Sequence, residues 1–206
     1  MENGKKSHVR NVLGPFHELL RKVINEAWKR WRGLSAEDRL AFGHSRVMPN
    51  VMWAYIQDEA RKHFDDTPIV SKEAEGTITY IVDNENGRVV FRFKKMDKRG
   101  YSQNFPTQRT MDFYRQLEMP GIPSGIRVDV GYVLNVLGTE INQIMVSYRD
   151  GNSVVWTDEI REPSAEVVAM EDYIEEQEVG AKGERKRVTS RSDQTEEKEE
   201  RKGLSE

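Results

Sequence analysis

An α+β fold follows from three features of the sequence. The apolar period is helical over 8–64 and becomes an alternation of two over 77–160. Hairpin turn chemistry belongs to the second part alone, at Asp83-Asn-Glu-Asn-Gly87 and Asp150-Gly151-Asn152. One helical stretch, opened by Pro106-Thr107, interrupts the strands. Helices first and strands afterwards predict N-terminal helices packed on a mostly antiparallel sheet with one inserted helix.

Residues 8–32 place Val9, Val12, Leu13, Phe16, Leu19, Leu20, Val23, Ile24, Ala27, Trp28 and Trp31 on one helical stripe. Gly14-Pro15 breaks or kinks it, with Pro15 suited to a first turn. Ser35 is an N-cap followed by acids, and a short helix runs to about Phe42. A further helix from near Pro49 to Phe64 buries Val51, Met52, Tyr55, Ile56, Ala60 and Phe64, and Asp65-Asp66-Thr67-Pro68 ends it.

Thr77–Val82 and Arg88–Phe93 then read as a hairpin. The inserted helix extends through Leu117. Met119-Pro-Gly-Ile-Pro123 makes a stiff connector, Arg127–Leu137 a strand, and Gln143–Arg149 with Ser153–Thr157 a second hairpin.

These elements make a single domain over 1–160, followed by a tail over 161–206. Up to Ile160 the chain carries 23 Lys and Arg against 21 Asp and Glu; beyond it, 9 against 14. The body has the apolar content for a core. The tail offers a short helix at 165–174 and then almost nothing apolar to repay ordering, which predicts disorder.

Composition also bounds function. Without cysteine there is no disulfide, thiolate chemistry or Cys-type zinc site. The start of the chain lacks the apolar run of a signal peptide, and no stretch reaches the roughly 18 apolar residues of a membrane helix. A cytoplasmic, soluble protein is the expectation. His8, His17, His44 and His63 are scattered without metal-binding spacing. No Walker loop, GxGxxG turn or GxSxG elbow occurs. Restriction-type nuclease chemistry needs an acid two residues before a strand lysine. Here Arg92 precedes Lys94 and Phe93 precedes Lys95. No catalytic residue, metal ligand or cofactor is therefore expected.

The steepest charge change in the body lies in Gly87–Gln108. Arg88, Arg92, Lys94, Lys95, Lys98 and Arg99 are opposed only by Asp97, and side-chain amides and hydroxyls follow. Alternation sends Val89, Phe91 and Phe93 to one face and Val90, Arg92 and Lys94 to the other. Continued, it turns Lys95 inward beside two Phe rings, where an unpaired ammonium costs several kcal/mol. The strand must then end or bulge, or Lys95 must meet a buried acid, or it must line a site. Arg92, Lys94, Lys95, Gln103, Asn104, Thr107 and Gln108 form the candidate partner-binding set. Its plainer alternative is local structure, with Asn104 or Thr107 capping the next helix and Gln108 solvated.

Two blocks carry a resemblance. One is Arg46–Arg61 (RVMPNVMWAYIQDEAR). The other joins FRFKKMD from Phe91, SQNFPTQ from Ser102, PGIP from Pro120, GYVL from Gly131, TEI from Thr139 and NSVVW from Asn152. Together they resemble a family of small bacterial and phage proteins encoded beside helix-turn-helix or ImmA/IrrE-type zinc-peptidase-like proteins. The resemblance spans about 40–160. It implies an antitoxin-like or defence-associated partner that neutralises or modulates a protein encoded by an adjacent gene, with no reaction of its own and no residue roles to carry over.

Two other functions remain open at this stage. Arg88–Arg99 and the basic face of the first helix could hold nucleic acid, with Gln103, Asn104 and Gln108 reading bases. The near-neutral body speaks against it, because phosphate contacts dominate such affinity. A metal-dependent, nuclease-like enzyme with an unrecognised site ranks third. No membrane partner is expected.

Overall fold

The break at Gly14-Pro15 sets the course of the helical layer in the computed structural model, which describes residues 2–42, 47–74, 76–103 and 107–162. Helix α1 (Glu2–Leu13) ends in a single 3-10 turn at Gly14–Phe16, and α2 (His17–Arg32) starts anew. Helix α3 (Ala36–Phe42) is entered through Ser35, whose hydroxyl accepts from the Asp38 amide at 2.9 Å. Helix α4 (Val47–Phe64) follows. It stops where the Thr67 hydroxyl and amide both donate to the Phe64 carbonyl, at 2.8 and 3.0 Å.

The strands are β1 (Ile69–Ala74), β2 (Thr77–Asn84), β3 (Gly87–Met96), β4 (Ile126–Leu134), β5 (Ile141–Asp150) and β6 (Ser153–Glu159), with α5 (Gln108–Tyr114) between β3 and β4. They form one six-stranded sheet in chain order. Every neighbouring pair is antiparallel except β3 with β4, which is parallel. A parallel neighbour requires a crossover, and α5 supplies it. The fold is α+β, as the change of period indicates.

Both faces of the sheet are covered at its centre, so β3 and β4 are buried over most of their length. Val82, Phe91, Val130 and Val146 on one face meet Val12, Leu20, Ile24, Met52 and Ile56 of the helices. On the other face Ile81 and Val90 meet Phe113, Tyr114, Met119 and Ile122. Gly131 marks the tightest point. A Cβ there would lie 2.3 Å from the Lys94 carbonyl oxygen and 2.7 Å from the Met96 methyl. Helix α1 is tied to the far strands by Arg10, whose Nε donates to Asp158 at 2.6 Å, and by Lys6, which lies over the Trp156 ring.

Several elements depart from the sequence reading: α5 stops at Tyr114 rather than Leu117, β3 runs on past Phe93 to Met96, and β4 stops at Leu134, which leaves Val136 and Leu137 exposed instead of on a buried strand face. β1 has no counterpart in that reading, because only Ile69 of IVSKEA is buried and an edge strand needs no alternation. α1 begins well before residue 8, since its polar first turns reach β5 and β6, where Lys5 donates to the Tyr148 hydroxyl and Lys6 to the Thr157 carbonyl, both at 2.8 Å.

The chain divides into two units, Met1–Ser164 and Ala165–Glu206, and the described residues belong to the first. The tail helix expected at 165–174, the disorder expected beyond it, and Asn104 all lie outside the described residues. No helix among the described residues is long and apolar enough to cross a membrane.

Candidate functional site

Strand β3 divides its basic residues between different jobs. Arg92 is only 3 % exposed. Its Nε and Nη2 donate to Asp129 Oδ1 at 3.3 and 3.2 Å, and its guanidinium lies 3.6 Å from the centre of the Phe113 ring. Asp129 also accepts from the Tyr114 hydroxyl at 2.8 Å. That hydroxyl shares a hydrogen bond with Ser102, and Arg149 stacks on the Tyr114 ring at 3.8 Å. Burial, reinforced by the Asp129 charge, pushes the Tyr114 hydroxyl up to about 12. This network clamps α5 and the 97–103 loop to the sheet. Arg92 thus differs from the solvated cation of an open docking surface: it is buried, and its charge is paired with Asp129.

The turn after β3 folds around Asp97. Its Oδ1 accepts from the Arg99 and Tyr101 amides, both at 2.9 Å. The Gln103 amide then donates to the Lys95 carbonyl at 3.0 Å, and Met96 bridges Ser102. The one acid of the basic stretch thus shapes a turn.

Lys94 and Lys95 are different. Alternation sends Lys94 to the side of Arg92 and Lys95 to the side of Phe93, and both are half-buried. The strand does not end at Lys95, which pairs in register with Tyr132 of β4. No bulge relieves Lys95, and no acid among the described lining residues meets it; it lies on the wall of a cavity. Burial, and then the charge of Arg92, bring the Lys94 amine down to about 8, with Asp129 offsetting part of the effect.

The cavity, of about 230 Å³, opens where β2 and β3 part. The register of these two strands runs from Asn84–Gly87 to Tyr80–Phe91 and goes no further among the described residues. Beyond it, Thr77 and Ile78 line one wall and Phe93, Lys94 and Lys95 the other; Tyr132 contributes from β4, and Pro49, Asn50 and Trp53 contribute from the first turns of α4. Trp53 is 40 % exposed. Among the described lining residues Arg92, Lys94 and Lys95 carry charge and none is acidic.

The rest of the expected set does not converge here. Gln103 is exposed beside the turn. Thr107 caps α5, its hydroxyl accepting from the Thr110 amide at 3.2 Å. Gln108 donates to Asp112 at 2.7 Å, one turn along the exposed face of α5. For Thr107 and Gln108 the local alternative describes what the structure shows.

Sequence reasoning missed Asn50, Trp53, Thr77 and Ile78. One signal was present. Val51, Met52, Tyr55 and Ile56 form the apolar stripe of α4, and Trp53 falls outside it among polar residues. Tryptophan is enriched at the centres of protein interfaces, so one placed off its helix's buried face is a candidate anchor. Compared with protein-family models, curated proteins and solved structures, the chain finds no match.

Proposed function

We propose that the protein is a non-catalytic binding partner which regulates another protein, antitoxin-like in kind, by docking it at the cleft between β2 and β3. The observation that carries this reading is the cleft itself. A half-exposed tryptophan and two half-buried lysines meet there at the end of a strand register. An exposed tryptophan is a usual anchor at the energetic centre of a protein interface, and lysines beside it select a partner of complementary charge. The resemblance of the 40–160 region to partner proteins encoded beside their targets supports the same reading and directs the test.

Nucleic-acid binding through Arg88–Arg99 has less to draw on. Arg92 is neutralised by Asp129 inside the protein, and Arg88 donates to Asp83 across the hairpin at 2.8 Å. Fewer free cations leave fewer phosphate contacts.

Co-expression with the product of the adjacent gene, followed by size-exclusion chromatography, tests the proposal. A complex that elutes as one species, and that Trp53→Ala weakens without lowering the melting temperature, is the expected result. Elution as two separate proteins contradicts it.

A further inference from the structure

The chemistry of the cleft narrows what can occupy it. Its wall on β3 presents Lys94 and Lys95, and Arg92 lies behind them with its charge already committed to Asp129. No acid among the described lining residues answers the two lysines. A half-buried ammonium with no acid beside it among the described lining residues, as at Lys95, favours a ligand that brings one. Size points the same way: about 230 Å³ holds an acidic side chain and a short piece of its backbone, and is too small for a helix or a folded element.

Strand geometry supplies the direction of approach. The Lys95 carbonyl accepts from Gln103, on the side of β3 away from β4. Residues two apart in a strand turn their backbone groups to the same side, so the Phe93 amide and carbonyl also point away from β4, toward the gap. Across that gap stands Ile78, the position that would continue the register past Tyr80–Phe91.

We propose that the cleft captures an extended acidic segment of the partner protein, with a carboxylate at Lys95, on the face that Trp53 flanks, and the segment's backbone laid along β3 at Phe93. This is strand addition at an incomplete register, with a charged pocket giving the specificity. It rests on the docking reading above and names the chemistry of what docks. Trp53 flanks the carboxylate position and reports occupancy through its fluorescence.

The test uses the full chain and two acetylated, amidated pentapeptides, one alternating valine and glutamate, the other with glutamine at each glutamate. Calorimetry and tryptophan fluorescence measure both against the wild type, Lys95→Met and Lys62→Met. Lys62 lies on α4, where it pairs with Asp58 at 2.9 Å, and serves as a charge-matched control. The acidic peptide is expected to bind at least about tenfold tighter than the glutamine peptide. Lys95→Met should erase that difference, and Lys62→Met should keep it. Equal affinity for the two peptides overturns the proposal. So does no binding of either at ~1 mM, or a glutamate preference that survives Lys95→Met. Displacement of the acidic peptide by an oligothymidylate would assign the cleft to nucleic acid and overturn it as well. If the co-expressed complex forms while the acidic peptide fails, docking stands and this occupant falls. If the peptide binds while no complex forms, the reverse holds.

Discussion

The two faces of β3 bury equally well by opposite means. Toward α4, Phe91 and Phe93 pack with Tyr80 and Phe64 at ring separations of 5.3 to 6.4 Å, and area with shape does the stabilising. Toward α5, the same strand buries a guanidinium, and it does so only because Asp129, Tyr114 and Phe113 surround it. An apolar face tolerates the loss of a partner in proportion to volume. An ionic face does not, because each partner lost leaves a charge behind. At the end of the strand neither device operates, and there Lys94 and Lys95 face a cavity.

Substitutions on the two faces should sharpen that contrast. Phe91→Ala should cost about 3–5 kcal/mol, read by urea denaturation, because it removes a fully buried ring from the centre of the aromatic cluster. Asp129→Ala should cost a similar amount, about 3–5 kcal/mol, by leaving Arg92 buried and unpaired. The difference appears in the second step. Arg92→Met added to Asp129→Ala should recover part of the loss, whereas a second truncation added to Phe91→Ala should only deepen it. If the Arg92 and Asp129 effects simply add, the pair is not acting as one unit.

Smaller effects should follow at the strand's end. Lys94 titrates at about 8 in the folded protein, below the ordinary lysine value of 10.5. The folded state therefore holds this proton less tightly than the unfolded chain does. Below pH 8 both states are charged and burial of the ammonium destabilises the fold; that penalty is relieved as pH rises from about 8 to 10.5. Lys94→Met should raise the melting temperature at pH 7 and raise it less at pH 10. An equal rise at both values would mean that packing, not charge, is responsible. Smallest of all, Gln108→Ala should change stability by under about 0.5 kcal/mol, since it removes one exposed hydrogen bond on α5.

The contrast also explains which parts of the fold could be read in advance. Periodicity reports burial, so the helices and the Phe91 face stand out in the sequence. Periodicity is blind to pairing. Arg92 sits at an outward-reading position because Val90, Arg92 and Lys94 look like a polar stripe, and nothing near them in the chain announces Asp129, 37 residues away. Lys95 could be narrowed to three outcomes, since strand parity put it inward; the cavity beside it is walled in part by Trp53 and Asn50, from a different element that the strand's own sequence does not announce. β1 was invisible for the simpler reason that an exposed edge strand has no pattern to show.

Thermal melting of Arg92→Met beside Lys95→Met tests the division of labour along β3 most directly. Arg92→Met should lower the melting temperature by several degrees, since it strands Asp129 in the interior. Lys95→Met should leave it unchanged or raise it slightly, while weakening the acidic peptide. A protein that tolerates the loss of Arg92 but melts early without Lys95 would contradict the account.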